Sequence, residues 1–321
     1  VLLFGTAIPS YLTPGQDQPP LISILPPLTQ EPKIVPQEEL VAQALESINA
    51  DRSSFGLSPV ELSSNAAAQV HAEDVFRNKQ ISHWMSNGEK PYMTYSWYGG
   101  TGGMAQNVAI AGFSKDQYDE CVRNSLYECE KIDPIATIKE LQYEMMYNDM
   151  ECCADGHRNN IIDPYHTHVS IGIVYDQYYL VLVQNFENNY GLDISVAGQS
   201  VTIAGELEFG TIDHLAIYYD SIPTPEFYEA NKRMLSYSGG ELTAVVVKPL
   251  PPGFYYERPD GYSLVVAERW DDDPTGSVNI SFNLARAVDL DGVYTVSVTA
   301  KAPEAGDTFE AASHSIVIDS Q

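Results

Sequence analysis

The chain is poor in positive charge. Seventeen Lys and Arg stand against 44 Asp and Glu in 321 residues, a formal net charge of −27. Nucleic acid and anionic membrane surfaces would be repelled by such a chain, which excludes them as partners. High ionic strength or divalent cations suit it better. Long apolar runs are missing too. Val1-Leu2-Leu3-Phe4-Gly5-Thr6-Ala7-Ile8 is apolar but far short of the ~20 residues that a membrane span requires, and no other stretch comes closer. It is read as the end of an export segment or as an N-terminal membrane tether. Cysteine is scarce, four residues at positions 121, 129, 152 and 153, with no Cys-x-x-Cys pair to favour zinc. An even number of this kind points to disulfides in an oxidising compartment, and so to an extracellular or cell-surface location. Cys152 and Cys153 are expected each to reach Cys121 or Cys129 rather than each other. The closeness of Cys152, Cys153 and His157 keeps zinc open. The glycine cluster at 99–103 lacks the lysine and the Ser/Thr of a phosphate loop and reads as a turn.

What is present is enough for two domains, with 44% hydrophobic residues. Proline crowds residues 9–36, which reads as an extended tether. A helix follows from about Pro36, with Glu38 and Glu39 near its start and Leu40, Ala44, Leu45 and Ile48 at helical spacing; it stops before Gly56. A second helix is expected over 60–78, with His71 on its core side. A loop around Asn87-Gly88 and Lys90-Pro91 follows. A polar insertion at 114–133 carries Cys121 and Cys129. After Pro134 a helix runs through Ile138, Leu141, Met145 and Met146, with Asp149 at its end. Then comes Asp155-Gly156-His157-Arg158-Asn159-Asn160, ahead of two alternating runs at 169–174 and 179–184 that read as a hairpin buried on one face. Past about residue 190 the pattern becomes short alternating runs separated by Pro, Gly and Asp clusters, the pattern of a β-sandwich. Nothing there reads as a catalytic constellation, since His214 and His314 are isolated.

Several segments taken in order carry a resemblance: Ile48-Asn49-Ala50-Asp51-Arg52, Ile81-Ser82-His83, Ala105-Gln106-Asn107-Val108, Gly156-His157-Arg158-Asn159-Asn160-Ile161 and Val183-Gln184-Asn185-Phe186-Glu187. Residues 38–190 resemble the CAP superfamily of cysteine-rich secretory, antigen 5 and pathogenesis-related proteins, in its prokaryotic secreted branch. The resemblance implies a three-layer α-β-α sandwich over 38–190. The count of strands alone assigns 195–321 to an Ig-like antiparallel β-sandwich, with 1–37 as the apolar start and Pro-rich tether, an α+β chain in all. The resemblance also implies a cleft lined by two histidines and two acids. Matched residue by residue, the histidines are His83 and His157. One acid falls on Gln106, a departure, beside Asn107; the other would stand on the helix before His157, where Asp149 is the choice and Glu144 the alternative. A carboxamide can hold a histidine or a water but cannot act as a general base.

Three functions compete. The first is a secreted, non-enzymatic module whose cleft binds a small ligand or a divalent cation, zinc or calcium, through His83 and His157. The second is a metal-assisted hydrolase in which Asp149 completes or orients the metal. The third is a structural or adhesive cell-surface component, with calcium bridging and self-assembly as its modes of contact. The first is the expectation carried forward, because the family shares a fold more than an activity.

Overall fold

The helix after Pro36, α1 (Gln37–Ser54), buries Leu40, Ala44, Ile48 and Arg52, a stripe at four-residue spacing. Its first turn carries Glu38 and Glu39 at the positive end of the helix dipole. The computed structural model describes residues 34–124, 129–273, 276–303 and 306–319; the apolar start and the proline-rich tether up to residue 33 lie outside them. Next come β1 (Glu61–Leu62), α2 (Ala67–Asn78), α3 (Pro91–Trp97), β2 (Gly103–Gly112), α4 (Lys115–Arg123), α5 (Pro134–Tyr147), α6 (Met150–Cys153), α7 (Gly156–Ile161), β3 (His168–Tyr175) and β4 (Tyr179–Asn188).

Two elements depart from the sequence reading. The second helix starts later than residue 60, because Glu61 and Leu62 pair in parallel with His168 and Val169 of β3. Asn65 Oδ1 then accepts the Ala67 N–H at 2.9 Å and sets the new helix start. The expected loop around Lys90-Pro91 continues into α3, which has proline in its first turn, where a missing N–H costs nothing.

The first sheet has the order β1-β3-β4-β2, so β2 lies at an edge. Every residue of β4 is buried. Tyr179, Val181 and Val183 pack with Ala68, Ala72 and Val75 of α2. On the alternate face Gln184 Nε2 donates to Gln142 Oε1 of α5 at 2.8 Å. Helices therefore cover both faces of the sheet, giving the three-layer α-β-α arrangement.

The second part holds β5 (Leu192–Ala197), β6 (Ser200–Glu206), β7 (Thr211–Asp220), α8 (Pro225–Asn231), β8 (Glu241–Val247), β9 (Ser263–Val266), β10 (Arg269–Asp272), β11 (Ser277–Asn283), β12 (Gly292–Lys301) and β13 (Thr308–Ile318). Two sheets, β10-β11-β6-β5 and β13-β12-β7-β8-β9, share one core that includes Ile203, Phe282, Ile217 and Val296. This is a β-sandwich, antiparallel except for the β8–β9 pair at one edge.

Residues 189–191 alone separate β4 from β5. The two parts meet along α3 and β13: the Ser315 N–H donates to Ser96 Oγ at 3.0 Å. Lys90 Nζ donates to Asp220 Oδ1 at 2.7 Å and the Tyr92 hydroxyl to Asp220 Oδ2 at 2.6 Å. From Pro36 onward the chain forms one compact unit.

The cysteine pairing differs from expectation. Cys121 bonds Cys129, and Cys152 bonds Cys153. The expected cross-ties cannot form, because α4 is held at the far end of β2 from α6. There the Tyr118 hydroxyl donates to Asp176 in the β3–β4 turn and its ring meets Tyr179 edge-on.

Arg52 is fully buried. Its Nε donates to Ser58 O at 2.9 Å, Nη1 to Ile161 O and Asp163 O at 2.8 Å each, and Nη2 to His166 O at 3.2 Å. A lysine ammonium cannot reproduce this fork. Arg52→Lys is expected to lower unfolding stability by ~3 kcal/mol, since several charge-assisted bonds to buried carbonyls go unmade. A urea midpoint within error of wild type would refute this account.

Candidate functional site

The site forms along the edge strand β2, where the two helical layers come round the sheet. Successive residues of a strand point to opposite faces. Gln106 accordingly meets the loop after α2, and Asn107 meets α7. The loop is anchored from below: the His71 ring bonds Ser82 O through Nε2 at 2.8 Å. Asp74 Oδ2 accepts the Ser86 N–H at 2.7 Å and Oδ1 the Ser86 hydroxyl at 2.6 Å. His83 is thus delivered to Gln106, its Nδ1 standing 3.0 Å from Oε1. Gln106 Nε2 donates to Asn185 Oδ1 at 3.0 Å, which fixes the amide so that its oxygen faces the imidazole. The His83 ring is also hydrogen-bonded to the Leu235 backbone, so two partners hold it in place.

His157 sits in the first turn of α7. Ala154 and Asp155, both at positive φ (51° and 61°), turn the chain sharply between α6 and α7. Asp149 holds the result. It is 2% exposed; its Oδ2 accepts the N–H groups of His157 and Arg158 at 2.8 and 3.2 Å, and its Oδ1 accepts from His157 Nδ1 at 2.6 Å. Glu144, the alternative acid, instead accepts from Asn148 on its own helix. Asn107 Nδ2 donates to His157 O at 3.1 Å, and Asn107 Oδ1 accepts from Asn160 Nδ2 at 2.8 Å.

His83, Gln106 and His157 line one cavity of about 310 Å³ together with Cys153, Asn160 and Tyr237. Asp149 and Asn107 stand behind His157 and position it. No carboxylate is among the lining residues. Sequence reasoning missed two contributors. Asn160 lay inside the Gly-His-Arg-Asn-Asn segment and could have been found there. Tyr237 could not: with Leu235 and Ser236 it comes from the chain between α8 and β8, in the β-sandwich part, and its ring lies 5.2 Å from that of His83.

The cysteine-rich secretory protein (CAP) family model matches residues 45–186. The chain carries a CAP domain. A solved structure described as an extracellular protein containing a SCP domain, from Bacillus anthracis str. Ames, is similar over 47% of this chain at 20% identity, with a TM-score of 0.32. The match spans 41% of that protein, less than half its length. None of the curated proteins matches the chain. No helix among the described residues is long and apolar enough to cross a membrane.

Within the CAP domain, burial pushes the His83 imidazole down to about 4, helped by the nearby charges of His71 and His157 and opposed by the hydrogen bonds to Gln106 and to the Leu235 backbone. His83 is therefore a neutral base throughout the neutral range. In the unfolded chain it titrates near 6.5, so between about pH 6.5 and 4 the unfolded state binds more protons. The contribution is fully present above 6.5 and lost as pH falls towards 4, an effect on the order of 3 kcal/mol. Urea unfolding at pH 7 and at pH 4.5 should show wild type losing more stability than His83→Asn. An equal loss in both proteins would rule His83 out as the cause.

Proposed function

We propose that this chain is an exported CAP-domain protein whose cleft binds a small ligand or a divalent cation and performs no catalysis. One observation carries the reading. Each cleft histidine has Nδ1 engaged by an acceptor, Gln106 Oε1 for His83 and Asp149 Oδ1 for His157. For His157 the carboxylate fixes the tautomer and leaves the Nε2 lone pair, the arrangement by which second partners orient histidine ligands, while the His83 ring is held by Gln106 and by the Leu235 backbone. The donor set fits zinc better than calcium, which takes oxygen ligands. Two imidazoles without a lining carboxylate make a weak site, short of the three protein ligands usual for catalytic zinc. Asp149 uses both oxygens on α7, and the Gln106 amide cannot take up a proton as a base. The hydrolase reading therefore lacks a free carboxylate in the cleft. Two disulfides support a location outside the cytoplasm.

Zinc titration of the oxidised protein by calorimetry is the test. Wild type should bind weakly, Gln106→Glu about 10-fold or more tightly through the added charge, and His157→Ala not at all. No binding by wild type removes the cation and leaves a small-ligand cleft. Ester or peptide hydrolysis that His157→Ala abolishes would overturn the non-enzymatic assignment.

A further inference from the structure

The Nδ1 side of His157 faces a second set of donors. Asp149, Cys152, Cys153 and His157 each offer one atom, and the four atoms lie within 4.8 Å of one another. Tetrahedral zinc, with thiolates at ~2.3 Å and nitrogen or oxygen at ~2.0–2.2 Å, has ligand–ligand edges of about 3.3–3.8 Å. Cys152 Sγ already stands 3.6 Å from Asp149 Oδ1. The Asp149–His157 edge, 2.6 Å as a hydrogen bond, would open by roughly 0.7 Å to admit a cation. With the sulfurs joined to each other, neither is a thiolate, and the site is closed.

The bond between them does little for the fold. A disulfide stabilises mainly by closing a long loop in the unfolded chain, and one between adjacent residues closes none. It is also accessible: Cys152 is exposed and Cys153 half-buried, whereas Cys121 of the other pair is buried.

We propose that reduction of the Cys152–Cys153 bond opens a site for a thiophilic divalent cation such as zinc, made of two thiolates, one imidazole and one carboxylate, which adjoins the cleft, shares His157 with it and engages that ring through Nδ1. The reductant is a dithiol. One of its thiolates attacks a protein sulfur to give a mixed disulfide, and its second thiol displaces that sulfur. Two electrons and two protons pass to the protein, leaving two thiols, and the dithiol departs as its own disulfide. Zinc then displaces the two thiol protons, and His157 moves its ring proton from Nδ1 to Nε2 as Nδ1 becomes a ligand. The proposal does not rest on cation binding in the cleft, which uses Nε2.

The test uses the full chain, reduced by a dithiol that is then removed without air, with cobalt(II) as the probe. A thiolate-to-cobalt charge-transfer band should appear at one equivalent in the reduced protein and be absent from the oxidised one. It should be lost in Cys152→Ser/Cys153→Ser and kept in His83→Ala and in Cys121→Ser/Cys129→Ser. If the last variant fails to fold, the Cys152→Ser/Cys153→Ser comparison still decides. No band in the reduced wild type, or a band that survives loss of Cys152 and Cys153, overturns the proposal. Loss of weak zinc binding in His83→Ala bears on the cleft alone, so the two readings fail separately.

Discussion

A single guanidinium does the joining on which the site depends. Arg52, near the end of α1, is bound by four backbone carbonyls, three of them at or just after the end of α7. A buried cation is tolerable only when its donors are satisfied, and here carbonyl dipoles supply most of what water would have supplied. Burial still lowers the Arg52 pKa, with the Asp163 charge opposing. The geometry works in both directions: the carbonyls hold the arginine, and the arginine forces residues 161–166 to turn towards it. With its C-terminal exit fixed by Arg52 and its first N–H groups fixed by Asp149, α7 has little freedom, and His157 stays where it is placed.

A second constraint runs beneath the sheet as a chain of side-chain amides. Asp51 accepts from Gln142, whose oxygen accepts from Gln184, whose oxygen in turn accepts from Asn107. Asn107 then holds His157 and Asn160. Each amide has one donating and one accepting end, so setting one sets the next. The carboxylate at Asp51 can only accept, which orients the series from its start. On the other face Asn185 does the same for Gln106 and, through it, for His83. The placement of the two rings in the cleft is thus decided by groups buried one or two residues further in.

The parts of this that were legible in the sequence were those with a local signature. The stripe of α1, the helix after Pro134 and the hairpin of β3 and β4 all follow from periodicity or from glycine and proline placement, whereas His157, expected at a helix end, stands in the first turn of a short helix of its own. The motifs of the CAP resemblance pointed to His83 and His157; Asp149 was a choice between two acids on the helix before His157. What escaped was non-local. The two-residue strand β1 exists only because β3 lies beside it, so helical periodicity upstream of Ala67 misled. The cysteine pairing depended on which end of β2 carries α4, a matter of sheet topology rather than spacing. Tyr237 sits in a polar stretch ending in Ser238-Gly239-Gly240 and shows its role only when the two parts are brought together.

Because Leu235, Ser236 and Tyr237 reach over from the β-sandwich part, the chamber between the two histidines has walls from one lineage of sequence and a roof from another. Burial holds the Tyr237 phenol protonated, with its hydroxyl turned towards Met104 of the edge strand. The opening can therefore change without any change to the histidines or their supports. A few substitutions between α8 and β8 would resize it, while the two imidazoles stayed as they are. Evolution has in this chain a lock whose wards are carried on a different piece from its bolt, and the two pieces can be altered one at a time.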